Sequence, residues 1–240
     1  CYQIFGGATG FFEDQFNTFM GAGALGMALD DYNGDNFDHE DLDFLHGGNI
    51  AITQTGARPI LSNPVKSGTA SWGEEFKEES IKNYTRVLSV SGQGATSPHK
   101  DNYLSMDTEY KDAFNVPLVC LTYNFTDQDR ARQKYLAERS GEILEKMGAE
   151  KVDLAAELTD YNIVPYQSTH NTGGTTMGAD PETSVVNNYL QHWDRDNLFV
   201  VGAGNFQHNS GYNPTATVGA LAYRCADGII KYAEDGGRLE

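Results

Sequence analysis

Leu198-Phe-Val-Val-Gly202-Ala203-Gly204-Asn-Phe-Gln-His208-Asn-Ser-Gly-Tyr-Asn213-Pro214-Thr215 is the stretch from which the fold is read. Its first four residues form a short apolar run that ends in Gly202-Ala203-Gly204, the pattern of a buried strand entering a close-packed turn. A helix follows. Asn213 suits the N-cap and Pro214 the first helical position, while Val218, Leu221, Ala222, Cys225 and Ile229 recur behind them at helical spacing. A strand, a glycine-rich loop and a helix start make a site for an anionic group, because the first N–H groups of a helix have no partner within it.

Working outward, the upstream sequence contains several strands without regular βαβ alternation. Residues 50–55, 85–91, 102–106 and 117–125 read as strands, and 72–82 as a short helix with Trp72 and Phe76 on one face. The best-punctuated helix follows Thr126 and Asp127, which can cap it. Leu136, Ile143, Leu144 and Met147 share one of its faces, and Gly148 ends it. This succession predicts an α+β fold, an antiparallel sheet with helices on one side, carrying the C-terminal strand, loop and helix in addition.

The chain has 240 residues, 39% hydrophobic and 11% aromatic, which suits a packed core in one large domain or two small ones. Seventeen basic residues against 34 acidic ones leave a net charge of −17. That balance excludes a polyanion partner, whose binding draws on Lys and Arg, so no nucleic acid is expected. Cys1, Cys120 and Cys225 are too scattered for a disulfide framework or a zinc site, and Cys120 and Cys225 are expected as inert packing. Residues 28–43 form an acidic loop around Asn33-Gly34, but the spacing of a calcium-binding EF-hand loop is not met. Gly21-Ala-Gly-Ala-Leu-Gly26 satisfies G-x-G-x-x-G. A weak strand before it and only three residues before the next turn argue against a dinucleotide site.

The chemistry is carried by Ser168-Thr-His170-Asn171-Thr-Gly-Gly-Thr-Thr-Met-Gly178 together with the opening stretch. The order His-x-x-Gly, then Met-Gly, then a strand, then Asn-Pro-Thr at a helix start resembles the C-terminal region of the glucose-methanol-choline (GMC) oxidoreductases. Lys100-Asp-Asn-Tyr-Leu104 and Asp112-Ala-Phe-Asn-Val-Pro117 resemble that family's sheet-forming substrate segment. The resemblance implies an FAD-dependent dehydrogenase of the sugar-acid and polyol type. It implies a substrate domain over 1–195 and, over 196–240, a strand–loop–helix that completes the flavin-binding domain. The segment gripping the nucleotide half of FAD is expected to lie outside this chain, which alone is expected not to retain the cofactor. The resemblance further implies a cytochrome or quinone as electron acceptor, a cytochrome and a small subunit as partners, and the periplasmic side of the bacterial inner membrane.

The chemistry of alcohol oxidation gives these residues distinct roles. Oxidising an alcohol removes the hydroxyl proton as hydride leaves carbon, so the site needs a base that titrates near working pH and a polar anchor for the oxygen. An imidazole titrates at about 6.5, which makes His170 the base. Asn213 can hold the same oxygen without competing for the proton. His208 and Asn171 are candidates for substrate contact. Gly202, Ala203, Gly204, Pro214 and Thr215 are candidates to abut the flavin, the helix start supplying N–H groups where negative charge develops. Gly173 and Gly174 would let backbone approach the ring. The competing readings are a docking domain working through the acidic loop and a carbohydrate-binding module suggested by 13 Tyr and 12 Phe. No metal is expected, since His170, His192 and His208 lack ligand spacing.

Overall fold

The computed structural model describes residues 1–16, 26–53, 63–164 and 168–239, so all of the glycine motif at 21–26 but Gly26, and the end of the strand expected at 50–55, fall outside what is described. In chain order the elements are β1 (Ile4–Phe11), β2 (Met27–Leu29), β3 (Gly48–Thr53), α1 (Glu74–Asn83), β4 (Val87–Gly94), β5 (Tyr103–Lys111), β6 (Pro117–Thr122), α2 (Asp127–Lys146), β7 (Lys151–Leu154), β8 (Gln191–His192), β9 (Arg195–Phe199) and α3 (Thr215–Asp235). They fall into two compact units.

One unit comprises Ile4–Gly94 and Thr126–Thr159. Its five strands follow the order β2-β3-β4-β1-β7 and pair antiparallel throughout. β1 alternates buried and half-buried residues, the period of a strand with one face toward a core. α2 packs across β1 and β4. A Cβ on Gly6 would stand 2.1 Å from the Gln133 carbonyl oxygen, so helix and strand backbones meet there with no side chain between them. Leu136 and Leu144, fully buried, join Ala8, Ile50, Leu88 and Val90 in the core. An α+β arrangement with a helix laid on an antiparallel sheet is what the order of strands predicts.

The N-terminus of α2 closes on itself. Thr126 Oγ1 accepts from the Asp129 N–H at 3.2 Å and Asp129 Oδ2 accepts from the Thr126 N–H at 3.0 Å, a reciprocal capping box. Arg132, buried behind it, pairs with Asp129 at 3.1 Å and donates to the Leu45 carbonyl at 2.7 and 3.1 Å. Burial pulls the Arg132 guanidinium below the usual arginine range, and Asp129 opposes that shift. Gly148, at φ 91°, ends the helix where expected. The short helix differs from expectation: α1 starts at Glu74, behind Gly73 at φ 99°, and Trp72 lies outside it, 82% exposed.

The second unit comprises Cys1–Gln3, Ala95–Phe125 and Asp160–Glu240. β5 and β6 form an antiparallel hairpin that runs past Met106 through a register shift. Its turn is fixed by Asp112, whose Oδ1 accepts from Phe114 N–H at 2.8 Å and Val116 N–H at 2.9 Å. β8 and β9 form a second, shorter hairpin, and the 195/196 boundary expected between domains falls within β9. Val186, Leu190, Leu221 and Cys225 make the core here, with Phe199 and Phe206 against it.

Three expectations are corrected in this unit. The run 198–201 is not a buried strand: β9 ends at Phe199, pairs only with the two-residue β8, and leaves Leu198 44% and Val201 51% exposed. The buried stripe of α3 is narrower than its apolar spacing, comprising Leu221, Cys225 and Gly228, while Ile229 is 47% exposed and Ala222 is exposed. Cys225 packs as expected, and burial pushes its thiol up, but Cys120 lies exposed on the hairpin strand β6. No helix among the described residues is long and apolar enough to cross a membrane.

Candidate functional site

The two motif segments run side by side in the second unit. Gly173 N–H donates to Ala203 O, Thr175 N–H to Gly204 O and Met177 N–H to Asn205 O, each at 3.0 Å. The path needs glycine at two kinds of place. Gly173, Gly174 and Gly202 sit at φ 81°, 100° and 133°, where a side chain is strained. At Gly204 a Cβ would come within 2.5 Å of Thr175 Oγ1, so this glycine serves the approach of the two segments. Asn205, with no exposed surface, ties the ladder to the end of β9 by donating to Val200 O at 2.7 Å.

His170 is half-buried and held from both ends. Its N–H donates to Ser168 Oγ at 2.9 Å, and its carbonyl accepts from Asn209 Nδ2 at 2.9 Å. Its ring Nδ1 contacts the side-chain oxygen of Gln3, a residue of zero exposure. The same Gln3 donates through Nε2 to Asn209 Oδ1 at 3.2 Å and to the Tyr212 carbonyl at 3.1 Å. Tyr212 immediately precedes Asn213, so one buried carboxamide links the imidazole to the turn that carries the carboxamide 43 positions away. Asn209 pairs in turn with Thr96 through two backbone bonds of 2.9 and 3.0 Å, which anchors the loop.

Asn213 is not the helix N-cap expected from the sequence. α3 begins at Thr215 behind Pro214, which already has near-helical angles of φ −85° and ψ −7°, and no side chain caps the helix. Proline can stand there because it has no N–H to leave unpaired. The exposed Asn213 side chain is thus not used in capping. The first turn of α3 contains no acidic residue either, so its N–H groups and the positive end of its dipole remain available to an anion. Nothing stands within 4 Å of a Cβ built on Gly202. Gly202 thus borders open space, and the Pro214–Thr215 helix start offers N–H groups that an anionic group could take up. Ala203 and Gly204 use their carbonyls in the ladder above.

The structure does not bring Asn171 to the His170 ring. Asn171 bridges Tyr2 antiparallel and lines a cavity of about 240 Å³ with Tyr103, Leu104, Leu121 and Tyr123, which His170 does not line. Successive side chains of an extended segment face opposite ways, which separates the two. His208 is exposed in the same loop as Asn209. A larger cavity, about 630 Å³, lies beside the ladder between Met177, Pro181, Trp193, Gln207 and Arg238. Among the described residues no three His, Cys, Asp or Glu side chains are grouped to hold a metal. Sequence reasoning missed Gln3, Asn205 and Asn209. Asn209 lay inside a quoted motif, whereas Gln3 is 167 positions from its partner and carried no signal.

The chain belongs to the GMC oxidoreductases: residues 98–222 match the family model described as GMC oxidoreductase. That match encloses His170, Asn171, His208, Asn209, Asn213 and the start of α3, but not Gln3 or Thr96. The chain is similar, at 38% identity over 226 residues, to the gluconate 2-dehydrogenase flavoprotein of Pantoea cypripedii, covering 93% of this chain and 37% of that protein. It is 29% identical over 217 residues to 2-methyl-1,2-propanediol dehydrogenase of Mycolicibacterium austroafricanum, covering 89% and 38%. Identity to the fructose dehydrogenase large subunit of Gluconobacter japonicus is 29% over 164 residues, covering 68% and 29%. The chain thus spans between 29% and 38% of the length of these relatives.

Proposed function

We propose that this chain is the substrate side and catalytic C-terminal part of an FAD-dependent dehydrogenase that oxidises the CH–OH group of a sugar acid or polyol. The observation that carries the reading is the Gln3 carboxamide, bonded at one end to the His170 ring and at the other to the carbonyl preceding Asn213. In this reading His170 takes the hydroxyl proton as the C–H bond breaks, and Asn213 holds the same oxygen so that it becomes the carbonyl oxygen. FAD, when bound, supplies the acceptor for the hydride. The uncapped start of α3 at Pro214 and Thr215 faces the negative charge this creates, and Gly202, Ala203 and Gly204 line the approach. His208 contacts the substrate from the loop that Asn209 anchors. The names of the relatives, a gluconate, a diol and a fructose dehydrogenase, support polyhydroxylated substrates. The large-subunit name of the Gluconobacter relative supports a multi-subunit assembly. We extend the proposal to a small subunit, a cytochrome as electron acceptor and the periplasmic face of the inner membrane.

Dye reduction with gluconate and a polyol tests the reading, using the flavin-loaded holoenzyme in which this chain is joined to the segment that grips the nucleotide half of FAD. His170→Ala is expected to lower kcat by about 10²- to 10⁴-fold, the range for losing a general base, with flavin retained. Turnover unchanged by that substitution would overturn it.

A further inference from the structure

We propose that Gln3 sets the tautomer of His170, with the proton on Nδ1 and the free lone pair on Nε2. Gln3 is then the positioning residue of the reaction, and Nε2 is the atom that takes the substrate proton. The second statement rests on the function proposed above; the tautomer does not.

Backbone groups have a hydrogen-bonding polarity that cannot change. The Gly211 N–H can only donate, and it meets Asn209 Oδ1 at 3.2 Å. The His170 carbonyl can only accept, and it meets Asn209 Nδ2 at 2.9 Å. These two contacts fix which end of the Asn209 amide is oxygen. Asn209 Oδ1 and the Tyr212 carbonyl are therefore both acceptors, and they face the same end of Gln3 at 3.2 and 3.1 Å. That end must be the NH₂ group, because the opposite orientation would set an oxygen against two oxygens. The remaining end, Oε1, faces His170 Nδ1. An amide oxygen only accepts, so Nδ1 must donate. In the neutral imidazole the other nitrogen, Nε2, then has no proton and is the basic atom.

Burial makes the assignment hold. Gln3 has zero exposure and Asn209 is 1% exposed, so neither amide can turn toward water to relieve a mismatch. His170 itself is only half-buried, and on the proposed function its Nε2 edge is the one that meets the substrate. The carbonyl of His170 is also held by Asn209, so backbone and ring of the same residue are fixed by one amide network.

Nitrogen-15 NMR of the flavin-loaded protein labelled at histidine, with the His170 signals assigned by their loss in His170→Asn, reads the tautomer directly. Above the imidazole titration the expected result is a protonated Nδ1 and an unprotonated Nε2, opposite to the preference of an unconstrained imidazole. A protonated Nε2 in the unsubstituted protein overturns the proposal whatever the activity. Gln3→Leu is expected to release the tautomer and lower kcat on the order of tenfold with little change in KM, the loss of one hydrogen bond to the reacting group. Retention of protonated Nδ1 in Gln3→Leu would show that Gln3 does not set it and would also overturn the proposal. If the tautomer is as stated but His170→Ala leaves turnover intact, the functional reading fails and the tautomer stands.

Discussion

Two long helices of this chain begin and pack in opposite ways. α2, 20 residues, opens with a reciprocal capping box, carries Asp127 and Asp129 in its first turn and buries Leu136 and Leu144 completely against a sheet. α3, 21 residues, opens behind a proline with no side-chain cap and no first-turn acid. Its sides leave Tyr223 80% and Ile230 57% exposed. α2 satisfies its own end and its own face, as an element does when its role is to hold a fold together. The start of α3 keeps the unpaired donors that α2 spends on itself, and it stands next to the two segments that carry His170 and Asn213. On the proposed function, the contrast separates a structural helix from one whose N-terminus would serve a ligand.

The largest expected effect lies on α2. Leu136→Ala removes a fully buried side chain that packs over Gly92 and Gly94, and is expected to destabilise its unit by about 2–5 kcal/mol. Hydrogen exchange of the β1 and β4 amides, compared between variant and parent, measures it. Protection unchanged in those strands would show that α2 does not hold the sheet and would erase the contrast with α3.

A smaller effect is expected at the α2 cap. Thr126→Ala removes the acceptor of the Asp129 N–H and is expected to cost about 1 kcal/mol. Exchange should rise in the first turn of α2 with no change in flavin retention. An equal loss of flavin would mean that the two helix starts are not functionally distinct.

How much of this was legible in the sequence follows the same divide. α2 could be read almost to the residue, because its signals are local: Thr126 before the helix, apolar residues at helical spacing within it, Gly148 after it. The antiparallel character of the sheet was also legible, from strands that follow one another without crossover helices. The segments of the site were legible as motifs, and one buried carboxamide joins the His170 ring to the carbonyl preceding Asn213. Its support was not. Gln3 and Asn209 act through single hydrogen bonds across 167 and 39 positions, and a carboxamide in sequence gives no sign of whom it bonds. The strand at 198–201 was misread for a related reason: apolar composition records what a segment could bury, while the two-strand hairpin it joins decides how much is covered here. Asn213 was misread as a cap because Asn before Pro fits that role locally, and only the near-helical angles of Pro214 shift the helix start one residue on.

The smallest effect is the most discriminating between the two helices. Thr215→Asp places a carboxylate in the first turn of α3, giving it the feature α2 already has. By the interaction of a negative charge with the helix dipole, α3 itself should gain about 0.3–1 kcal/mol, read as slower exchange of its first-turn amides in the flavin-free protein. The same carboxylate would occupy the positive end that the proposed function reserves for the flavin's anionic edge, so flavin should be held less tightly and its reduction potential should fall. A gain in helix stability coupled to weaker flavin binding requires the bare N-terminus of α3 to face the cofactor. A gain with no effect on the flavin would leave α3 merely uncapped, and the difference between the two helices would then carry no functional meaning.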